Sequence, residues 1–126
     1  MKNLLLIICV CVSSSLFGQA EKAFIKSVQA ANWEESITYL NDRVDFCIDD
    51  DQDYLKKAEC IANLKKIIAD HGVTAWKEVH KGQSKDGSSS YSILESTASQ
   101  KPLRILVFSE DNGGSSVTEI RIETRS

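Results

Sequence analysis

Five side chains carry most of the chemistry this sequence can offer: His80, Tyr91, Arg104, Arg121 and Glu123. All lie in segments where apolar and polar residues alternate, so they are expected on strands, with successive side chains on opposite faces. Arg121 and Glu123 then share one face, with Ile120 and Ile122 on the other. An imidazole, a phenol and two guanidiniums make His80, Tyr91, Arg104 and Arg121 the candidates for binding a ligand. Arg104 stands out because it interrupts an otherwise apolar strand, Leu103-Arg104-Ile105-Leu106-Val107-Phe108. Two roles fit it: a cross-strand partner for Glu119 or Glu123, or an anchor for a carboxylate or phosphate.

The acidic run Asp49-Asp50-Asp51-Gln52-Asp53 has the alternation of the first ligands of an EF-hand loop. However, Tyr54 stands where the loop needs glycine and Cys60 where it needs a bidentate glutamate. A solvated turn before a helix, with negative charge at the positive end of the helix dipole, accounts for the run better. Cys47, Cys60, His71 and His80 contain no close C-x-x-C pair, so neither structural zinc nor a Cys-His nucleophile is expected. No metal and no cofactor are called for. Cys47 and Cys60 could form one disulfide, which would stabilise by about 3 kcal/mol for a loop of this length. Two buried free thiols are the favoured alternative, because a domain of this size does not need the bridge.

The elements that must position these groups follow from periodicity. A helical pattern runs from Glu21 to Asn41, with Ala23, Phe24, Val28 and Ala31 on one face and Trp33, Ile37 and Leu40 on a second stripe. Asn32 separates them as an N-cap, with Glu35 placed three residues on as in a capping box. Val44, Phe46 and Ile48 predict a short edge strand, in which Arg43 and Asp45 would be exposed charges that discourage strand pairing. Leu55, Ala58, Ile61, Leu64 and Ile68 predict the longest helix, from Tyr54 to Asp70, capped by Asp53 and ended by Gly72. Strands are then expected at Trp76 to Gly82, Tyr91 to Ser96, Leu103 to Ser109 and Val117 to Thr124. The turns between them are Lys85-Asp86-Gly87-Ser88, Gln100-Lys101-Pro102 and Asp111-Asn112-Gly113-Gly114. The fold class is α+β, with N-terminal helices packed on one face of a curved antiparallel sheet of about four strands plus the short edge strand.

Lys2, the apolar run Leu4 to Val12, small Ser13 to Ser15, and Gly18 and Ala20 at the −3 and −1 places form a secretory leader. Its apolar stretch is too short for a spanning helix, and cleavage after residue 20 leaves 21–126 as a single domain. Of the formal net charge of −3, only the charge of Lys2 departs with the leader. The remaining cations are interspersed with acids, so nucleic acid is not an expected partner, nor is a membrane after cleavage. Thr124-Arg125-Ser126 follows the last strand directly, and the product is expected in the periplasm or secreted.

His80-Lys81-Gly82-Gln83-Ser84-Lys85-Asp86-Gly87, Tyr91-Ser92-Ile93, Leu103-Arg104-Ile105 and Ile120-Arg121-Ile122-Glu123, with Leu40-Asn41-Asp42-Arg43-Val44-Asp45 and Ala58-Glu59, resemble a family of small secreted proteins of Bacteroidota. That family is known as domain of unknown function 4783. The resemblance covers nearly all of the chain after the leader. It implies a cone-shaped fold similar to nuclear transport factor 2, with a pocket between sheet and helices, and it implies no activity. The chain departs from the family pattern at Asp70-His71-Gly72-Val73, Leu94 and Pro102, which bear on loop shape more than on fold. A few enzymes of the wider superfamily use an aspartate as a proton-transfer base. Asp45 is the residue to test for that role here, with Tyr91 or His80 as donor.

Two functions therefore stand side by side. The first is an exported, non-enzymatic binding or interaction module, whose cone pocket or sheet face takes a small ligand, a protein partner or a second copy. The apolar residues on both faces of the Leu103 to Phe108 strand support it, since an apolar second face must be covered. The second is a small pocket enzyme of isomerase or hydrolase type built on Asp45, Tyr91 and His80.

Overall fold

The computed structural model describes residues 19–84, 88–111 and 115–124. The leader through residue 18, and the turn residues 85–87 and 112–114, lie outside the described residues. The chain runs α1 (Gln19–Gln29), α2 (Trp33–Ser36), a 3-10 turn (Ile37–Tyr39), β1 (Leu40–Ile48), β2 (Asp51–Lys56), α3 (Lys57–Asp70), β3 (Ala75–Gln83), β4 (Ser89–Ala98), β5 (Leu103–Asp111) and β6 (Ser115–Thr124).

All six strands form one sheet in the order β2-β1-β6-β5-β4-β3. Every neighbouring pair is antiparallel except β1 with β6, which is parallel. The α+β class holds, but the sheet is larger and mixed where about four antiparallel strands and a short edge strand were expected. Two local features explain the difference. Val44 to Ile48 is part of a nine-residue strand lying between β2 and β6, not an edge. The edge is β2, whose residues are exposed except for half-buried Leu55, so no period-two signal marks it. Leu55 therefore reads as the first turn of the helix that follows. That helix begins at Lys57, and Asp53 belongs to the strand and does not cap it.

Asn32 caps α2 as expected: its side chain accepts a hydrogen bond from the Glu35 backbone N–H at 3.3 Å, and its Nδ2 donates to Glu35 Oε2 at 2.9 Å. Ala31 is not on an apolar face; it is exposed at φ 55° in the turn that ends α1. Gly72 follows α3 at φ 62°, a left-handed conformation that glycine adopts without the Cβ penalty. His71 O then accepts from the backbone N–H groups of Gln100 and Lys101, tying the helix end to the turn before β5.

The core lies between helices and sheet. Phe24, Ile25 and Val28 of α1 and Cys60, Ile61 and Leu64 of α3 pack onto Val44, Phe46, Leu94, Ile105, Val107, Ile120 and Ile122. Phe24, Val44, Leu64, Leu94, Val107 and Ile120 are all 0% exposed and form the centre of the core. Two polar contacts set the rotation of α1 within this packing. Buried Glu21 accepts a short hydrogen bond from Ser92 Oγ on β4, and Ser27 Oγ meets Ser36 Oγ at 2.6 Å.

Candidate functional site

Cross-strand register assigns each candidate to a face. Directly paired residues share a side of the sheet, so three rows can be followed across the face opposite the helices. The first reads Tyr54, Asp45, Glu119, Phe108, Tyr91, Gly82 from β2 to β3. The second reads Gln52, Cys47, Arg121, Leu106, Ile93, His80, and the third, from β6 to β3, Glu123, Arg104, Glu95, Lys77. His80, Tyr91, Arg104, Arg121, Glu123 and Asp45 thus all occupy the outer face, and none lies between sheet and helices.

The face brings some of them together. His80 Nε2 and the Tyr91 hydroxyl are 2.8 Å apart, and Tyr91 stacks in turn on Phe108 with ring centroids 5.9 Å apart. Gly82 makes this arrangement possible: a Cβ there would sit 2.4 Å from the Tyr91 ring. A glycine inside a strand is the sequence mark of such a close approach. Arg104 donates from Nε and Nη2 to Glu95 Oε2, at 2.8 and 2.5 Å, and from Nη1 to Glu123 Oε1 at 3.4 Å. The expected partner Glu123 is present, while Glu95 makes the closer bonds and Glu119 instead takes Arg121 Nε at 2.5 Å. These carboxylates raise both guanidinium pKa values above the ordinary arginine value, for Arg104 chiefly through its hydrogen bonds to Glu95 and for Arg121 through its bond to Glu119. Both arginines are thus held by carboxylates of this chain.

Other candidates are kept apart. Asp45 on β1 and Tyr91 on β4 are three strand spacings from each other, about 14 Å. That is too far for base and donor to address one small substrate in common. Asp45 is half-buried on an interior strand and is not an exposed edge charge; the edge on that side is β2, whose Tyr54 ring centroid lies 5.9 Å from the Arg43 guanidinium carbon. Cys47 lies on the outer face between Gln52 and Arg121, and Cys60 is in the core on the opposite side. Both are free thiols, and the sheet between them rules out the disulfide considered from sequence. Burial pushes the Cys60 thiol up to about 12, and burial also raises that of Cys47.

The acidic run forms the β1–β2 turn and opens the edge strand. Asp49, at φ 52°, accepts from the Thr124 backbone N–H at 3.0 Å and from Thr124 Oγ1 at 2.5 Å. Those two bonds, the hydroxyl first, hold its carboxyl below 3.8. Among the described residues no group of three or more His, Cys, Asp or Glu side chains is placed to hold a metal ion.

The apolar second face expected of the Leu103 to Phe108 strand forms the centre of the outer face, joined by Ile93 and Tyr91 of β4, which periodicity alone does not place beside it. Ile93, Leu106 and Phe108 are half-buried there beside Tyr91, and no described helix packs over them. Alternation along β4 and β5 assigns each to a face, but only the register of the four central strands makes them neighbours.

The comparisons fit this architecture. The sequence profile described as Domain of unknown function (DUF4783) matches residues 22–123. A search of curated proteins finds none that matches. The chain is similar to the crystal structure of a DUF4783 family protein from Bacteroides ovatus ATCC 8483, at 17% identity and TM-score 0.72, over 82% of this chain and 94% of that one. It is also similar to an NTF2-like protein of unknown function from Cytophaga hutchinsonii ATCC 33406, at 13% identity and TM-score 0.58, covering 84% and 87% of the two chains. A ketosteroid isomerase-like protein from Erwinia carotovora atroseptica SCRI1043 matches at 10% identity and TM-score 0.60, covering 89% and 95%. At these identities the structural likeness shows fold alone. The profile match spans most of the chain and the solved structures share its fold, so the protein belongs to the DUF4783 family and has an NTF2-like α+β fold.

Proposed function

We propose that the protein is an exported, non-enzymatic interaction module whose working surface is the outer face of the sheet, and that a second copy of the chain covers that face. The observation that carries this reading is the makeup of the face: apolar Ile93, Leu106 and Phe108 with Tyr91 at the centre, flanked by arginines that Glu95, Glu119 and Glu123 already neutralise. A charge paired within its own surface costs less to cover than a free one. The size also suits a dimer. Six strands at about 4.8 Å spacing and nine residues at about 3.3 Å rise give a face of about 700 Å², close to the roughly 800 Å² per partner of a standard interface. The leader supports export. The place of Asp45, Tyr91 and His80 on the outer face and the distance between Asp45 and Tyr91 favour this reading over the pocket enzyme, which a ketosteroid isomerase-like neighbour brings to mind on fold alone.

Native mass spectrometry of the protein purified from its own envelope tests both parts. The expected species is a dimer of chains that begin at Glu21. Leu106→Asp and Ile93→Lys, each placing a charge on the outer face away from the core, should give folded monomers with unchanged circular dichroism. A monomer for the native chain at all concentrations would overturn the interface, and an intact mass retaining residues 1–20 would overturn the export reading.

A further inference from the structure

On the helix side, α1 packs on β4, β5 and β6 and leaves an open groove of about 370 Å³ between its flank and β3. Lys22 and Lys26 line it from the helix, Lys81 and Glu78 from the strand, and Ala23 and Ile25 form an apolar floor. Lys81 is placed there by register: it pairs with Ser92, whose hydroxyl bonds Glu21, and Glu78 pairs with core Leu94. Lys22 and Lys26, one helical turn apart, are neighbours on one face, an arrangement that repels by a few tenths of a kcal/mol in a helix. They cannot turn away, because Phe24, Ile25 and Val28 are buried beneath α1 and Glu21 is tied to β4. None of the ion pairs among the described residues uses Lys22, Lys26, Lys81 or Glu78.

Three lysines and one glutamate lining a concave surface give the groove a net positive charge that no ion pair among the described residues neutralises, in a protein whose formal net charge is −3. We infer that this groove binds a small organic oxyanion carrying at least two negative charges, of the phosphate ester or polycarboxylate kind. Lysines suit a compact anion because each is a point charge with three donors, without the planar fork with which arginine grips one group. Glu78 adds an acceptor for a ligand hydroxyl, and the Ala23–Ile25 floor takes the carbon skeleton. The site is independent of the outer face and would persist in a monomer.

The test is titration of the full mature protein with glycerol phosphate, with citrate and with sodium chloride at matched ionic strength, followed by amide chemical shifts and calorimetry. Saturable shifts confined to residues 22–29 and 78–82, with either organic anion and not with chloride, are expected; the anion that saturates first distinguishes the ester from the polycarboxylate. Lys26→Ala and Lys81→Ala should each weaken binding by about tenfold, and Lys26→Arg should keep most of it. Alanine sustains a helix at least as well as lysine, so Lys26→Ala tests charge and not folding. Absence of saturation, equal shifts with chloride, or affinities untouched by both alanine variants would overturn the site.

Discussion

The contact most open to a quantitative test is the one between α1 and β4. Glu21 is 2% exposed and Ser92 is 0% exposed, and the hydroxyl of Ser92 is the only hydrogen-bond donor to the Glu21 carboxylate among the described residues. A hydrogen bond to a charged group contributes about 1.5–3 kcal/mol, and removing one partner leaves the other desolvated without compensation. Ser92→Ala should therefore destabilise by about 2–3 kcal/mol. In a domain of this size each kcal/mol moves the melting midpoint by about 4–8 °C, so the shift should be on the order of 10–20 °C. Glu21→Met alone should cost less, since a hydroxyl is cheaper to leave unpaired than a carboxylate. The double variant should recover much of the loss, because replacing both partners by apolar groups is nearly neutral. Urea unfolding of the four proteins, read as a double-mutant cycle, gives the coupling energy directly. A Ser92→Ala variant within about 0.5 kcal/mol of the native protein, or a cycle that is additive within that error, would refute the reasoning.

Two further outcomes follow from single positions. Gly82→Ala should push the Tyr91 ring off the strand and break its contact with His80, which is readable as a changed Tyr91 ring environment by NMR with the fold retained; an unchanged ring would refute the close approach. Because the folded-state pKa of Asp49 is lowered, its stabilising effect is complete above the unfolded value of 3.8 and is lost as pH falls through the folded one. Asp49→Asn should therefore flatten the stability profile below about pH 4 and leave the profile above pH 6 parallel to the native one; an identical acid limb in the two proteins would refute the Thr124 contact as its cause.

Elements whose signal is local were legible in the sequence. The capping of α2 by Asn32, the end of α3 at Gly72 and the last four strands all rest on neighbours within a few residues, and the structure has them within two residues of the expected bounds. What could not be read is what depends on pairing. β2 has almost no buried residue, and its one half-buried side chain, Leu55, continues the helical spacing of Ile61 and Leu64. Without β2, β1 reads as an edge, and Asp45 and Arg43 acquire the role of edge charges. Arg104 shows the same limit: its type and its interruption of an apolar strand mark it out, but choosing among Glu95, Glu119 and Glu123 requires the register of β4, β5 and β6.

Register also settles how the two proposed surfaces relate. Along β4, Ser92 and Leu94 face the helices while Tyr91, Ile93 and Glu95 face outward, so one strand serves both sides at alternate residues. Along β3 the same division, carried past the irregularity between Glu78 and His80, puts Glu78 and Lys81 in the groove and His80 and Gly82 at the outer face. If two copies pack through their outer faces, both lysine grooves point away from the interface, each open beside its own α1. Covering the sheet then leaves anion binding unobstructed, and anion binding adds charge only on the side the partner does not touch. The protein on this account is a symmetric pair with two separate, outward ligand grooves, and a variant at Leu106 that abolishes pairing should leave the response to glycerol phosphate intact.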